Sequence, residues 1–145
     1  MSNLVSGGNT TENLSAFAHQ VFESQAFSQF IGAELIQVGS DHAELSLQIA
    51  EHHKQQHGFV HGGVVSYLAD NAITFAGGLA LGGNALTSEF KINYIKPAKG
   101  SHLLARAKAC SAGKRQAVCQ CEIFIVVEGV ETLCALAQGT VVAAA

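Results

Sequence analysis

Several features that mark other classes of protein are missing or scarce in this chain. It contains no tryptophan and a single proline, and no basic segment followed by an apolar run lies near its start, so we expect no signal peptide. Its formal net charge of −3 argues against nucleic acid as a general partner. The 145 residues are 48% hydrophobic, which is enough for one globular domain with a buried core. We therefore expect a single cytoplasmic domain.

Cysteine and metal chemistry are also weakly represented. The four cysteines form no CxxC pattern, and we interpret them as reduced core thiols rather than as a nucleophile: Cys110, Cys119, Cys121 and Cys134. His53, His57 and His61 are spaced four apart, yet Gly58 interrupts the helix that such a set of ligands would need. We predict no metal site.

The first residues differ in character from the rest of the chain. Residues 1–13 are polar and contain glycine, so we expect a disordered tail there and one domain over residues 14–145. From Leu14 to Gln29, the spacing of Phe17, Val21 and Phe22 predicts a short amphipathic helix.

The longest helix-compatible stretch begins after His61. Apolar residues recur there at intervals of three and four, which predicts one buried stripe: Val65, Leu68, Ala69, Ala72, Ala76 and Leu79. Ser66, Asp70 and Thr74 are four apart and share a second, polar face. Two glycine pairs weaken and then end the helix. The acid and the glycines interrupt the apolar run, so we expect no membrane span.

Two features of this helix are suited to chemistry. Asp70 is a carboxylate among apolar neighbours, which is costly unless it is hydrogen-bonded or paired. It is either a catalytic carboxylate or a residue at a solvated helix edge. Gly62 and Gly63 lie at the helix start, where free N–H groups and the positive end of the dipole can stabilise an oxyanion. Alternatively, they form a plain glycine-rich helix entry that His61 caps.

The remaining chain has the pattern of strands. Ile31–Val38 and Ala43–Ile49 are predicted to form a hairpin that turns at residues 39–41. Four more strands follow the helix: Leu86–Ile95, Ser101–Cys110, Gln116–Val127 and Thr132–Val142. One hairpin, one long helix and four successive strands predict an α+β domain, in which a curved antiparallel sheet wraps around a central helix.

Positive charge is concentrated in one part of the chain. Seven of the eight basic residues lie between Lys91 and Arg115, and the segment from Phe90 to Cys121 contains no Asp or Glu. Such a segment suits a ligand that carries phosphates. Alternatively, the charges are solubilising groups at strand edges.

A set of short motifs resembles a known family. They are Gln55, Gly58, His61-Gly62-Gly63, Leu68-Ala69-Asp70, Ser88, Asn93-Tyr94 and Lys96-Pro97-Ala98. In this order and spacing they resemble the hotdog-fold acyl-CoA thioesterases of the PaaI and 4-hydroxybenzoyl-CoA thioesterase type, over roughly Phe30 to Val142. The resemblance implies the hotdog fold, and it implies hydrolysis of acyl-CoA to a carboxylic acid and CoA without a cofactor.

The resemblance also implies roles for individual residues. Asp70 would be the nucleophile or the general base, the Gly62 amide would form the oxyanion hole, and Gln55 would position the thioester or a water. Further members of the catalytic set are His61, Thr74 and Ser88. Residues expected to bind substrate or CoA are Gly63, Phe59, Tyr67, Lys96, Lys114 and Arg115, the last two beside the CoA phosphates. The phenylalanines from Phe17 to Phe30 pack onto the domain or, alternatively, close over an acyl pocket.

Two other classes of hotdog protein can be compared with this pattern. The same pocket could serve a non-catalytic module that binds acyl-CoA as a sensor. No DNA-binding segment accompanies the domain, which favours the enzyme. Hotdog dehydratases place a histidine and an acid differently, and the stretch from His61 to Asp70 does not resemble theirs.

The spacing along the helix predicts a dimer. Gly62 and Asp70 are eight residues apart, which is about 12 Å along a helix axis. An oxyanion donor must lie about 3 Å from the carbonyl oxygen. Two such helices, antiparallel about a twofold axis near Ser66, would bring Gly62 of one protomer beside Asp70 of its partner. We therefore predict a homodimer with shared active sites, and the resemblance implies the same sharing. Separately, we expect the dimers to pair as a dimer of dimers.

Overall fold

The computed structural model describes residues 10–144, with side chains from residue 12. The helices are α1 Thr10–Ser24, α2 Ala26–Ile31 and α3 Gly62–Leu81. The strands are β1 Ala33–Val38, β2 His42–Gln48, β3 Ala85–Tyr94, β4 His102–Ala112, β5 Gln116–Val127 and β6 Val130–Ala143, and a short 3-10 turn spans Glu51–His53. Residues 1–9 of the predicted tail lie outside the described part of the chain.

The N-terminal helical segment differs from the single helix predicted at Leu14–Gln29. α1 begins at Thr10, so it includes the last four residues of the segment expected to be a tail. The helix then breaks at Gln25, whose ψ of 103° is extended, and α2 follows. Gly32 ends α2 with a left-handed φ of 83°, so β1 begins at Ala33, two residues later than predicted. The apolar periodicity runs across the break, which is why the sequence does not reveal it.

The six strands form one antiparallel sheet in the order β1-β2-β4-β5-β6-β3. α3 packs against β2, β3, β4, β5 and β6. A single helix can contact five strands only if the sheet curves around it. The predicted fold class, a curved antiparallel sheet around one central helix, is therefore confirmed.

α3 is the centre of the core. Every residue of its predicted apolar stripe is buried, and Leu68, Ala69, Ala72 and Ala76 are completely so. The helix lies close to the sheet at Gly77, where an added Cβ would lie 2.6 Å from the Cβ of Val141 on β6. By length and composition alone α3 could cross a membrane, but more than half of its most apolar window is buried inside the fold.

β3 forms one edge of the sheet and runs back along α3. Thr87, near the start of β3, contacts Thr74 in the second half of α3. Tyr94, the last residue of β3, contacts Ser66 near the start of α3. The polar face of α3 therefore lies beside an open sheet edge.

Candidate active site

The start of α3 offers one backbone donor. His61 is the N-cap, and its Nδ1 accepts a hydrogen bond of 2.8 Å from the Gly63 N–H. The Gly62 N–H has no hydrogen-bond partner within residues 10–144. It lies at the positive end of a helix of 20 residues, which favours negative charge at this point. The capping histidine and the oxyanion donor are thus compatible: His61 occupies one amide and leaves the other available.

A groove of about 470 Å³ lies in front of this helix start. Its lining includes four of the predicted site residues, Gln55, Phe59, Gly62 and Lys96. Gln55 belongs to a tight loop, in which its backbone N–H donates to the Phe59 carbonyl oxygen at 2.9 Å. Its side-chain Oε1 accepts from the His57 N–H, and its Nε2 donates to no residue of the described chain.

Tyr94 completes this groove, and sequence reasoning gave it no role. Its hydroxyl donates to the Gly62 carbonyl oxygen at 3.1 Å and lies 2.5 Å from Ser66 Oγ. A Cβ added at Gly62 would lie 3.3 Å from the Tyr94 ring, so only glycine fits easily there. The residue was visible as part of a motif, but no local signal places the end of a strand against the start of a helix.

Asp70 lies on α3, away from this groove. Its side chain is half-buried, and its Oδ1 is a buried oxygen without a hydrogen-bond partner in the described part of the chain. Thr74 Oγ1 donates to the Asp70 backbone carbonyl at 2.8 Å, so it does not satisfy the carboxylate. A buried carboxylate oxygen that lacks a donor is costly. The carboxylate is therefore only partly solvated, and its Oδ1 is left to accept from a ligand, a water or another chain.

Thr74 and Ser88, the two hydroxyl residues of the predicted catalytic set, do not lie together. Thr74 lies 2.5 Å from Thr87 Oγ1, whereas Ser88 is exposed and donates to the Thr140 carbonyl oxygen at 3.3 Å. The β3–β6 register shifts between Thr87 and Glu89, and this irregularity decides which side chain faces α3. Thr87 is thus a second residue that sequence reasoning missed, because nothing in the local sequence reveals the shift.

The chain contains two half-sites that do not meet. The groove that holds Gln55 and Gly62 is lined by neither Asp70 nor Thr74. Asp70 follows Gly62 by more than two helical turns, about 12 Å of rise. One half-site offers hydrogen-bond donors, and the other offers a carboxylate.

The family model of the thioesterase superfamily matches residues 57–131, from the loop before α3 to the start of β6. The chain belongs to the thioesterase superfamily. The match contains the start of α3 and Asp70, whereas Gln55 lies two residues before it. Membership supports the coarse class of activity, hydrolysis of thioesters.

Solved thioesterase structures share this fold. A thioesterase family protein from Silicibacter pomeroyi is 27% identical, with a TM-score of 0.85 over 89% of this chain and 96% of that chain. A thioesterase from Haemophilus influenzae is also 27% identical, with a TM-score of 0.75 over 92% and 89% of the two chains. The PaaI protein of Escherichia coli, 23% identical, shares the fold with a TM-score of 0.80 over 93% and 96%. The hotdog fold is thereby confirmed.

Sequence similarity to a curated relative also supports a hydrolase. A protein of Saccharolobus solfataricus, named for a presumed esterase activity, is 29% identical over 127 residues. The alignment covers 84% of this chain and 80% of the relative, so both proteins are matched over most of their length.

The predicted binding residues of this superfamily member fall into separate places. Lys96 lines the groove, but Lys114 and Arg115 lie on the β4–β5 turn and line a different surface depression. This turn is close to the C-terminal end of α3, because the Arg115 carbonyl accepts from Ala143 N, and Ala144 N donates to Asn84 O. Lys96 and the pair Lys114 and Arg115, which are predicted to bind the same ligand, thus lie at opposite ends of α3.

Tyr67 does not line the groove. Its hydroxyl contacts Ser28 and accepts a 3.1 Å hydrogen bond from Asn71 Nδ2, which also donates to Gln25 Oε1 at 3.0 Å. Burial raises the pKa of the Tyr67 hydroxyl, and its hydrogen bonds with Ser28 and Asn71 oppose that shift. The residue joins α3 to the N-terminal helices instead of facing the candidate active site.

Part of the positive charge between Lys91 and Arg115 is paired with acidic residues from other parts of the chain. Arg106 donates to Glu131 through two hydrogen bonds of 2.6 and 2.7 Å and to Glu44 at 3.0 Å. Its hydrogen bonds with Glu131 raise the pKa of Arg106 and lower the pKa of Glu131. Both acids come from outside the segment, so Arg106 contributes little to an anion-binding surface.

The histidines of the loop have other partners. His53 is 3% exposed; its Nδ1 accepts from the Ala50 N–H at 2.9 Å and its Nε2 donates to the Ile31 carbonyl at 2.7 Å. His61 caps α3. Within residues 10–144, no group of three or more His, Cys, Asp or Glu side chains is arranged to hold a metal ion.

Three cysteines are buried, as expected for core thiols, whereas Cys110 is exposed. Burial raises the pKa of Cys119 and of Cys134 to about 11, and that of Cys121 further still. A thiol with a raised pKa is a poor nucleophile at neutral pH.

Proposed function

We propose that the protein hydrolyses acyl-CoA thioesters at sites shared between two chains. The observation that carries this proposal is the buried, unpartnered Oδ1 of Asp70 beside the open β3 edge, separated along the same helix from the free Gly62 N–H. Each half-site lacks what the other offers. A second chain, packed antiparallel on α3, supplies the missing half.

The shared site accounts for the chemistry of thioester hydrolysis. The Gly62 N–H, at the positive end of α3, donates to the thioester carbonyl oxygen and stabilises the oxyanion as it forms. Gln55 Nε2 donates to the substrate or to the attacking water. Asp70 of the partner chain either takes the proton from a water that attacks the carbonyl carbon, or attacks that carbon itself. The C–S bond then breaks, and the CoA thiolate leaves and takes up a proton. In the second route, water then hydrolyses the anhydride between the acyl group and Asp70, which releases the carboxylic acid and restores the Asp70 carboxylate.

The exposed side of β3 supports such a dimer. β3 is an edge strand, and Leu86 and Tyr94 are large side chains on it that are 64% and 56% exposed. Unpaired strand edges with exposed apolar groups are natural association surfaces. We further propose a dimer of dimers in the cytoplasm, for which sedimentation equilibrium gives the direct test of mass.

The phosphates of CoA are bound by Lys114 and Arg115 in this proposal. Both are exposed at the β4–β5 turn, near the C-terminal end of α3. The turn and the scissile bond lie toward opposite ends of α3, which is about 30 Å long, and the extended nucleotide and pantetheine span this distance.

A mixed dimer tests the shared site. Chains carrying Asp70→Asn and Gln55→Ala are coexpressed with different tags, and the species that carries both tags is purified. One of its sites holds both defects and the other is intact, so activity should recover to as much as about half of the wild-type value per dimer.

The matched control is a dimer of two Asp70→Asn chains with the same pair of tags, which should stay inactive. A mixed dimer no more active than its parents would show that the catalytic groups come from one chain. Binding of acyl-CoA without turnover by the wild type would instead identify a sensor module.

A further inference from the structure

A cavity begins one helical turn from Asp70. Thr74, whose Oγ1 is bonded to the Asp70 backbone carbonyl, lies in its wall. The cavity lies between α1, α3 and the start of β3, and its lining includes Phe17, Val21, Gln25, Thr74, Phe75 and Leu79. Most of these side chains are apolar, and no residue of the described chain fills the space. The cavity is separate from the groove at Gly62.

α1 forms the outer wall of this cavity and is held firmly. The Phe22 ring lies 5.9 Å from the ring of Phe75 on α3, and His19 Nε2 donates to the Leu35 carbonyl at 3.0 Å. The break after α1 is fixed by Asn71, which donates to Gln25 Oε1 at 3.0 Å. The position of α1 therefore sets the depth of the cavity.

The cavity is small. Its volume is about 80 Å³, roughly half of the 150 Å³ or so that accommodates benzene in an apolar protein cavity. By this comparison with the six-carbon ring of benzene, it accommodates roughly three carbon atoms. Phe17 is 43% exposed, so its ring separates the cavity from solvent on the α1 side.

We propose that this cavity is the acyl pocket and that Phe17 limits it to short aliphatic acyl groups of about two to four carbons. The inference rests on the proposed function. When the carbonyl carbon of the thioester lies within reach of Asp70, the alkyl chain of the acyl group extends past Thr74 toward Phe75 and Leu79. Longer chains meet the Phe17 ring, and bulky aryl groups exceed the volume.

The test compares kcat/KM over saturated acyl-CoAs from acetyl to octanoyl. For the wild type, kcat/KM should rise about fourfold with each buried methylene, equivalent to about 0.8 kcal/mol, and stop rising near butanoyl. Phe17→Ala should extend this rise to hexanoyl or octanoyl. Val21→Phe, which fills the pocket, should lower kcat/KM for butanoyl-CoA more than for acetyl-CoA.

Phe30→Ala is the matched control, because Phe30 is 79% exposed on α2 and does not line the cavity. Its chain-length profile should equal that of the wild type, and thermal melts of all variants confirm folding. A wild-type optimum at octanoyl, or the same profile for Phe17→Ala and the wild type, would overturn the acyl pocket. Absence of hydrolysis of every acyl-CoA would instead overturn the proposed function, and this inference with it.

Discussion

At the scale of single residues, the unpartnered carboxylate of Asp70 is the feature that most needs an explanation. Other buried polar side chains, such as His53, Ser28 and Asn71, have hydrogen-bond partners in the fold. Natural folds leave few buried polar atoms unpaired, and the exceptions are often functional. The proposed catalytic role of Asp70 would explain why this costly arrangement is present.

Asp70→Asn preserves the shape of the side chain but removes the carboxylate. We expect kcat for acyl-CoA hydrolysis to fall by at least about 10² to 10⁴, the usual contribution of a positioned base, and more if Asp70 is the nucleophile. The melting temperature should not fall, because the change removes a carboxylate whose buried Oδ1 has no hydrogen-bond donor in the described part of the chain. Steady-state kinetics on the best substrate check this, and a near-normal kcat would remove Asp70 from the mechanism.

His53 has a structural role that can be separated from chemistry. His53→Phe keeps a ring of similar size but leaves the Ala50 N–H and the Ile31 carbonyl without partners. An unsatisfied buried polar group costs about 1–3 kcal/mol, so urea unfolding should show a loss of about 2 kcal/mol or more. His52→Phe, at the exposed neighbouring position, is the control and should change the free energy of unfolding by less than about 0.5 kcal/mol. Equal effects of the two changes would contradict this role.

At the scale of elements, the contact between α3 and β6 depends on Gly77. Alanine there gains about 1 kcal/mol of helix propensity, but its Cβ would lie 2.6 Å from that of Val141. Val141 is completely buried and cannot move aside, so overpacking of about 1–3 kcal/mol should prevail. Chemical denaturation of Gly77→Ala should show net destabilisation of about 1 kcal/mol. Gly83→Ala meets open space and serves as the control; a stabilised Gly77→Ala would show that the helix shifts freely.

The β4–β5 turn is the element that we expect to recognise the CoA phosphates. Lys114→Ala combined with Arg115→Ala should raise KM for acyl-CoA with little change in kcat, because contacts far from the scissile bond contribute uniform binding. KM for a truncated acyl-pantetheine thioester should not change.

The control for this pair is Lys91→Ala with Lys108→Ala, which removes the same charge from β3 and β4 elsewhere on the surface. If the variant at the turn weakens both substrates equally, the turn does not bind the nucleotide. If both double variants raise KM alike, net charge and not a specific contact is responsible.

At the scale of the whole molecule, three of the four cysteines are buried, so the number of reactive thiols reports whether the protein is folded. Native protein should react with one equivalent of a thiol reagent per chain, at Cys110, and denatured protein with four. Cys110→Ser should abolish the native reaction. Any fast-reacting thiol in the native Cys110→Ser variant would contradict this packing.

Because these thiols are buried, the free energy of unfolding should depend on pH in the alkaline range. The folded state holds the protons of Cys119 and Cys134 up to a pKa of about 11, whereas their unperturbed pKa is 9.0. Between these values the folded state binds more protons, so this contribution is fully present below pH 9 and is lost as the pH rises toward 11. Urea unfolding at pH 8 to 11 measures the loss, which Cys119→Ala with Cys134→Ala should reduce.

The sequence by itself determined most of the elements and placed the candidate catalytic residues on them. The apolar stripe on α3, its capping histidine and the strand pattern are carried by contiguous residues, because helical and strand periodicity are local properties. The spacing of Gly62 and Asp70 along one helix was also enough to show that one chain cannot bring them together.

Only the tertiary structure decided the contacts between distant parts of the chain. Tyr94 reaches Ser66 across 28 residues, and Arg106 reaches Glu44 across 62. The order of strands in the sheet determines which of these residues meet, and the register shift at Thr87 determines which side of β3 faces α3. No local propensity encodes such pairings, because they depend on how the whole sheet closes around the helix.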